Sequence, residues 1–332
     1  MSSKSAIPLI DISPFRAGTG EGKAQVVSAV RAACEEIGFF LVSGHGVPEE
    51  LINRNYRLAK EFFDLPLEKK NEVKKPGPQV SRGYSLLGGQ NLAITVGNDA
   101  PSDLHETFTV GRPEVEPTPY YTEGFGPVHF APNLWPSEPA GFKEAVVEYY
   151  GAMMGLTKVL MHIFACALDL EETYFDDLTD RGFSNLQYNN YPEPDRPPLP
   201  GQLRAAEHTD YGSVTILKVE DAPGGLQVKD RAGQWHDVGF VPDAFVVNLG
   251  DAMARWTNDR WKSTLHRVVN PPQDATLGSR RLSIPFFGQP NYDAMIECIP
   301  TCQSPDAPAK HEPVTAGAHW RHKAVLSRTA VK

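Results

Sequence analysis

The sequence predicts a mixed, β-dominated fold in which a double-stranded β-helix (jelly roll) core is flanked by α-helices. Between residues 184 and 290, short runs of strand-forming residues alternate with Pro, Gly and Asp turns. Eight such runs fit two antiparallel sheets, an arrangement that limits exposed strand edges. Ahead of them, apolar residues recur at helical spacing over about 141–168 and predict one long helix. The eight predicted strands are residues 186–191, 204–208, 213–218, 226–229, 235–237, 245–248, 265–269 and 281–287.

The amino-terminal part reads as two strands, each followed by a helix. Residues 7–12 read as a strand, and residues 38–43 as a buried strand. Apolar positions at helical spacing predict amphipathic helices at about 22–37 and 48–63. These elements are expected to pack beside the jelly-roll core.

Residues 64–104 are rich in Pro and Gly and predict an irregular region. Long loops on a rigid scaffold often carry lids and binding residues. We therefore expect substrate contacts in this region, with Leu86, Leu87 and Asn91 as candidates.

The remaining segments complete one structural unit. A short helix is predicted at about 171–179, and a closing helix at about 314–327 follows a Pro-rich tail. The predicted parts are an amino-terminal helical and strand region at 1–120, a long supporting helix at 121–182, the jelly-roll core at 183–290 and a packed carboxyl-terminal tail at 291–332.

Bulk composition narrows the classes of partner. The 332 residues carry a formal net charge of −9 without a basic block, which argues against nucleic acid and anionic membranes. The four Cys form no Cys-x-x-Cys pair and suggest no disulfide framework. The sequence contains no run of about 18 apolar residues, so no membrane-spanning helix is expected. Met1–Ser5 lead into a strand without the apolar core of a signal peptide. We expect a soluble, cytoplasmic protein; its oligomeric state is left open.

A His-x-Asp pair is the centre of the predicted site. His208 and Asp210 stand two residues apart, so in an extended strand both side chains point to one face. His266, in another predicted strand, is the natural third ligand. Two His and one carboxylate on one face of an ion, with open positions opposite, suit non-heme Fe(II) and O2 chemistry. A lone His-x-Asp is a weak signal, since a solvated strand end gives the same pattern.

Two further pairs with the same spacing suit a carboxylate ligand. Arg281 and Ser283 share one face of a strand and offer a guanidinium beside a hydroxyl. Asn189 and Tyr191 form a similar pair upstream, in which Tyr191 adds a phenolic donor. Taken singly, Arg281 fits a surface ion pair and Tyr191 fits a core aromatic, but their order along the chain favours one site.

These segments resemble the isopenicillin N synthase-like family of Fe(II)- and 2-oxoglutarate-dependent dioxygenases. The resemblance runs in order over nearly the whole chain. One departure is Asn190, where plant members usually carry Tyr, so that Tyr191 supplies the matching phenol. The matching segments are Ile7–Ile12, Gly38–Val47, Asn189–Pro192, His208–Asp210, Pro223–Val228, Asn248–Asp251, Leu265–Val268 and Arg281–Ser283.

The resemblance implies the reaction and the site. Fe(II) would be held by His208, Asp210 and His266, and 2-oxoglutarate would chelate it through the C1 carboxylate and C2 ketone. The C5 carboxylate would be anchored by Arg281, Ser283 and Tyr191, with Asn189 near the iron-bound end. O2 would then oxidise a C–H bond of a small metabolite, by hydroxylation, desaturation, ring formation or demethylation, with release of succinate and CO2.

Other residues in the matching segments receive lesser roles. His45 lies between two glycines and is expected to be structural, and adjacent strand residues face opposite ways, so His105 beside Glu106 is not expected to bind metal. Asn248 and Asp251 are expected to support the ligands rather than to bind iron themselves.

Three alternatives remain at this stage. An Fe(II) oxidase of the same fold would need no 2-oxoglutarate and would use Arg281 and Ser283 for a substrate carboxylate. A jelly-roll binding module would have no catalytic role, although an open site of two imidazoles and one carboxylate suits a structural ion poorly. A zinc hydrolase would need a general base, for which no distinct motif is present.

Overall fold

The computed structural model describes residues 7–329, apart from residues 19, 78–79, 99, 273 and 275–277. The segment Met1–Ser5, on which the prediction about a signal peptide depends, lies outside the described residues. Side chains are described as far as Ala324.

The described strands form one large sheet, one smaller sheet and a two-stranded ribbon. The large sheet has the order β1-β2-β10-β7-β12-β5-β4-β3, the smaller sheet β6-β11-β8-β9, and β13 pairs with β14. Only β1 and β2 pair in parallel among the described strand pairs. The strands are β1 Leu9–Asp11, β2 Phe39–Ser43, β3 Gly83–Ser85, β4 Glu106–Gly111, β5 Asn185–Tyr191, β6 Ala205–His208, β7 Val214–Val219, β8 Leu226–Lys229, β9 Trp235–Asp237, β10 Phe245–Leu249, β11 His266–Val268, β12 Arg281–Gly288, β13 Met295–Ile296 and β14 Val314–Thr315.

The prediction of a jelly-roll core is confirmed. All eight predicted strands are present, and four of them, β5, β7, β10 and β12, are neighbours in the large sheet. The other four, β6, β8, β9 and β11, form the smaller sheet. Two amino-terminal strands extend the large sheet at one edge and β3 and β4 extend it at the other, so the edges of the core are covered.

Ten helices accompany the strands in the described part of the chain. Helix α7 is the long predicted helix; it packs against α2 and α3 and against strands β7 and β12. Its length and composition would suffice to cross a membrane, but more than half of its most apolar stretch is buried inside the protein, as in a core helix. The helices are α1 Ser13–Arg16, α2 Gly20–Glu36, α3 Glu49–Phe63, α4 Leu67–Asn71, α5 Pro119–Thr122, α6 Gly126–His129, α7 Phe142–Ala167, α8 Asp176–Thr179, α9 Asp251–Trp256 and α10 Ala316–Thr329.

Some elements differ from the sequence-based expectations. The helix expected at about 171–179 is a single turn, α8. The region at 64–104 is less irregular than expected, since it contains α4, β3 and a 3-10 helix at Ala93–Val96. Helix α9 is not predicted by the sequence pattern. Strand β4 begins at Glu106, which was treated as a strand residue in the sequence analysis, and it is extended by pairing with β5 and β3.

The register of the large sheet determines which side chains meet. Strands β5 and β12 pair so that Tyr191 lies opposite Arg281 and Asn189 lies opposite Ser283. Directly opposed residues in an antiparallel pair point to the same face. These four side chains therefore share the face that looks toward the smaller sheet, and the opposite face packs on the helices.

Candidate active site

His208, Asp210 and His266 converge in the structure. Strands β6 and β11 pair with His266 directly opposite His208, and the two imidazole centroids lie 4.2 Å apart. Asp210 follows two residues after His208, and its Oδ1 lies 3.8 Å from Nε2 of His266. One ligand atom from each of the three residues lies within 4.8 Å of the others, a separation that one ion can bridge.

Backbone carbonyls orient both imidazoles toward the space between them. Nδ1 of His208 lies 2.7 Å from the carbonyl oxygen of Ala206, and Nδ1 of His266 lies 3.0 Å from that of Thr264. A carbonyl oxygen only accepts hydrogen bonds, so each Nδ1 carries the proton and each Nε2 keeps a lone pair. This is the tautomer that a metal-binding His needs.

The carboxylate of Asp210 is held in its charged form. Burial would raise its pKa, but the neighbouring His266 and His208 and the hydrogen bonds from Asn248 and Thr215 outweigh burial and lower it. Asn248 donates through Nδ2 to Oδ2 at 2.7 Å. Burial and the nearby His266 lower the pKa of His208 to about 4. At neutral pH His208 is therefore uncharged and Asp210 is an anion, the protonation states that a divalent cation requires.

Asn248 and Asp251 contact the triad without joining it. Asn248 bonds the carboxylate of Asp210, while the backbone N–H of Asp251 donates to the Asp210 carbonyl at 2.8 Å. The Asp251 side chain accepts from Thr209 and pairs with Lys323 on α10. Both residues fix the turn that carries Asp210.

Arg281 is a buried cation with unused hydrogen-bonding capacity. Arg281 is 3% exposed, and its Nη1 is buried without a hydrogen-bond partner among the described residues. No carboxylate of the described chain pairs with it. Burying an unpaired charge is costly, so this guanidinium suits an anionic ligand, which would satisfy it with charge-assisted hydrogen bonds.

Ser283, Tyr191 and Asn189 surround the same position. The ring of Tyr191 lies 5.4 Å from the guanidinium carbon of Arg281, and Nδ2 of Asn189 lies 3.5 Å from Oγ of Ser283. All of these side chains are buried and line one cavity together with the triad. The structure thus brings together every residue of the predicted site, and a donor set of two imidazoles, one carboxylate and an unpaired guanidinium fits Fe(II) and 2-oxoglutarate.

Two further buried residues pack near Tyr191: Arg204, which the sequence does not single out, and His105, whose only sequence-based expectation is that it does not bind metal. Arg204 is 2% exposed, its guanidinium carbon lies 5.9 Å from the Tyr191 ring, and burial together with Arg281 lowers its pKa to about 10. It donates to the carbonyl oxygens of Pro223 and Ser279. His105 packs on Tyr191 from another side at 5.5 Å between ring centroids. A lone Arg or His carries no spacing signal, so only the fold reveals their place.

The loop at 86–104 lines the cavity, but with residues that differ from those expected. Gln90 and Leu92 line the cavity, whereas Leu86 and Leu87 are exposed and Asn91 bonds the carbonyl oxygen of Ala100 at 2.7 Å. The loop thus lies at the cavity, but the candidate residues Leu86, Leu87 and Asn91 do not line it.

His45 and His105 lie outside the triad. His45 bonds the carbonyl oxygen of Asp243 and packs on Phe245. His105 bonds the carbonyl oxygen of Arg204 at 2.8 Å and contacts Gln90. Both side chains contribute to packing and hydrogen bonding rather than to the cluster of potential metal ligands.

Comparison with known proteins gives a consistent result. Residues 183–290 match the model of the 2OG-Fe(II) oxygenase superfamily, and residues 7–138 match that of the non-haem dioxygenase in morphine synthesis N-terminal family. The chain is 40% identical over 315 residues to the 2-oxoglutarate-Fe(II) type oxidoreductase hxnY of Emericella nidulans, covering 93% of this chain and 87% of that protein. It is 32% identical to the homoarginine-6-hydroxylase 2-ODD-233 of Oryza sativa, covering 97% of each chain.

Solved structures agree with the sequence comparisons. A full-length Neurospora crassa protein in complex with alpha-KG superposes with a TM-score of 0.84 at 33% identity, covering 98% of this chain and 97% of that chain. The same protein in complex with alpha-KG and thymine gives a TM-score of 0.83 at 32% identity, covering 98% of each chain. The predictions of the enzyme class and of its cofactors are confirmed: this chain belongs to the 2-oxoglutarate- and Fe(II)-dependent oxygenase family, whose members use Fe(II), 2-oxoglutarate and O2.

Proposed function

We propose that His208, Asp210 and His266 bind the catalytic Fe(II) and that Arg281, Ser283 and Tyr191 anchor the C5 carboxylate of 2-oxoglutarate, with Asn189 beside them. The single observation that carries the proposal is the unpaired, buried guanidinium of Arg281 in the cavity that the triad also lines. A five-carbon diacid bound to the ion by one end would present its second carboxylate to a cation deeper in the cavity.

The chain's own residues would bind and orient the reactants. When bound, Fe(II) supplies the site at which 2-oxoglutarate and O2 react to oxidise a substrate C–H bond, with release of succinate and CO2. Ala206 and Thr264 hold the two imidazoles so that each Nε2 faces the ion. Asn248 donates to Oδ2 of Asp210, and Oδ1 is the oxygen that lies near Nε2 of His266, so Oδ1 is the oxygen that would bind the metal.

The hydrogen bonds around Ser283 favour a carboxylate. Thr109 donates to Gln187, Gln187 donates to Asn189, and Asn189 donates to Oγ of Ser283. Because Ser283 accepts from this chain of donors, its own hydroxyl proton is available for an oxygen of the ligand. Arg281 and Ser283 would together offer a fork of charged and neutral donors to one carboxylate.

The proposed substrate is a small molecule, oxidised in the cytoplasm. The related structures hold thymine or a compound abbreviated JA besides 2-oxoglutarate, and the cavity between the two sheets suits a small-molecule ligand. All four Cys are free, which supports a reducing compartment. The acidic net charge of −9 supports the expectation that nucleic acid and anionic membranes are not partners.

The proposal is tested by anaerobic titration of the Fe(II)-loaded protein with 2-oxoglutarate. We expect the weak visible charge-transfer band of an iron-chelated keto acid. In Arg281→Ala the titration should shift to about 10- to 100-fold higher 2-oxoglutarate, and the apparent KM should rise by the same factor, because a hydrogen-bonded charge contributes roughly 1.5–3 kcal/mol. Arg57→Ala, which removes an exposed Arg on α3, is the matched control.

Two outcomes would contradict the assignment. An unchanged titration of Arg281→Ala would show that Arg281 does not hold the co-substrate. A wild-type protein that binds iron but gives no band would mean that Arg281 holds a carboxylate of the primary substrate instead, as expected of an oxidase of the same fold.

A further inference from the structure

The inner face of β5 continues past the proposed co-substrate site. Asn189 and Tyr191 are used there, but Asn185 and Gln187 also line the cavity on the same face. Four residues of strand separate Asn185 from Asn189, a distance of about 13 Å. The proposed contacts to the co-substrate include neither side chain directly, although Gln187 supports Asn189. The N–H groups that these two amides do not use within the protein are therefore available to a second ligand.

The orientation of the Asn185 amide is fixed by its neighbour. Arg82 is 3% exposed and donates through Nη1 to Oδ1 of Asn185 at 2.6 Å. A guanidinium has no acceptor, so the atom it contacts must be the amide oxygen. The Nδ2 group of Asn185, with two N–H donors, is therefore the part of this amide that remains for a ligand.

Gln187 is oriented in the same sense. Its Oε1 accepts from the Thr109 hydroxyl at 3.0 Å, and its Nε2 donates to Oδ1 of Asn189 at 2.6 Å. One N–H of Gln187 remains beyond these bonds. Both amides thus offer donors to the same end of the cavity.

The charged residues that line the cavity also favour a ligand that accepts hydrogen bonds over a cationic one. Among the described residues that line it, Asp210 is the only carboxylate, and that group is proposed to bind iron. A buried cationic ligand would find no counter-ion among these described residues, whereas an oxygen acceptor or an anion would meet donors.

Apolar side chains lie beside the two amides. The register of β5 and β12 sets Phe287 opposite Asn185, and Phe287 and Pro285 both line the cavity. Tyr211 and Trp320 line it as well, the latter from α10. A ligand with an apolar or aromatic body and polar oxygen at one edge matches this combination of walls.

We propose that Asn185 and Gln187 bind the primary substrate and that this substrate is a neutral or anionic small molecule that presents carbonyl or carboxylate oxygens to their amide N–H groups. The inference rests on the proposed function, since it takes Asp210 and Arg281 as occupied by iron and 2-oxoglutarate.

The test uses the full chain loaded anaerobically with Fe(II) and 2-oxoglutarate. Three compound sets of similar size are titrated and followed by calorimetry and by changes in the charge-transfer band: neutral cyclic imides and amides such as uracil, aromatic carboxylates such as benzoate, and basic amines and amidines without a carboxylate, such as benzylamine and benzamidine. The band before any addition reports co-substrate binding separately, so failure of the proposed function is seen first and is not confused with failure of this inference.

We expect binding from the first two sets and none from the basic set. Asn185→Asp keeps the contact with Arg82 but replaces the two N–H donors with an acceptor oxygen. The variant should therefore bind the tightest neutral or anionic probe with an affinity that is lower by about tenfold or more. Gln187→Met serves as a second variant, and Gln303→Glu, an exposed change of the same charge, is the control.

The inference fails if basic compounds bind as tightly as the other two sets, or if no neutral or anionic probe binds to the loaded protein. It also fails if Asn185→Asp and Gln187→Met both retain the wild-type affinity while their bands show that they are loaded.

Discussion

The two faces of strand β5 have different roles, although both carry Asn and Tyr side chains. Asn185, Gln187, Asn189 and Tyr191 face the cavity, while Leu186, Tyr188 and Asn190 face the helices and the buried core. Asn189 and Asn190 are adjacent and chemically identical, yet one lies beside the proposed co-substrate site and the other lies in a structural network. Position along the strand, odd or even, decides between ligand binding and stability.

On the outer face the buried charge of Glu106 is fully partnered. The Glu106 carboxylate accepts from Lys70 at 2.9 Å, from the Tyr84 hydroxyl and from Asn190 at 2.8 Å. On the inner face, by contrast, Arg281 keeps an unpaired nitrogen among the described residues. A fully paired buried network stabilises a fold, whereas an incomplete one is suited to a ligand.

The largest effect is expected at the triad. Asp210→Ala removes one ligand and the only carboxylate among the described residues that line the cavity, so Fe(II) binding and turnover should both be lost. The measurement is metal content after dialysis together with 2-oxoglutarate decarboxylation. The free energy of unfolding of the metal-free protein should fall by about 1–3 kcal/mol, because the removal leaves the amide of Asn248 without its buried partner. Full turnover in Asp210→Ala would refute the assignment of the metal site.

The next largest effect is a loss of stability when Glu106, on the outer face of the sheet, is replaced. Glu106→Leu leaves Lys70 buried and unpaired, and breaking a buried ion pair in this way costs about 3–5 kcal/mol of stability. Urea unfolding of the metal-free protein measures this loss, while the apparent KM for 2-oxoglutarate of the remaining folded enzyme should be unchanged.

The double variant Lys70→Met with Glu106→Leu is the control for this prediction. Removing both charges together leaves no unpaired ion at this position, so its stability should recover much of the loss seen in Glu106→Leu. If the double variant were less stable than Glu106→Leu, the ion pair would not be the reason for the loss.

The sequence predicted the inner face better than the outer one, and the reason is periodicity. His208 with Asp210, Arg281 with Ser283, and Asn189 with Tyr191 each stand two residues apart, so strand geometry alone sets each pair on one face. Which strands become neighbours depends on long-range pairing. The opposition of His266 to His208 and of Tyr191 to Arg281 is therefore seen only in the fold.

Single residues without a partner in sequence could not be predicted. Arg204 stands alone before β6. The partners of Glu106 come from α4, β3 and β5 and lie 36, 22 and 84 residues from it along the chain. Asn190 appeared only as a departure from the plant pattern, yet its amide joins Glu106 and, through Oδ1, Arg280 at 3.1 Å. Such roles arise from burial and tertiary contacts, which a local pattern does not encode.

The smallest and most direct effects come from changing the two adjacent asparagines one at a time. Asn190→Leu leaves Glu106 Oε1 and Arg280 Nε without their partner, which should reduce the free energy of unfolding by about 1–3 kcal/mol and leave the KM for 2-oxoglutarate unchanged. Asn189→Leu breaks the hydrogen bonds to Gln187 and Ser283 and should raise that KM by roughly 3- to 10-fold. Its stability should change less than that of Asn190→Leu, because Gln187 and Ser283 line the cavity, where water can replace the lost bonds. Urea unfolding gives the free energy of unfolding of each variant, and steady-state kinetics gives the KM of each for 2-oxoglutarate. The same substitution at neighbouring positions should thus separate into one kinetic and one thermodynamic effect, and equal effects of both variants on both quantities would mean that the two faces of β5 are not functionally distinct.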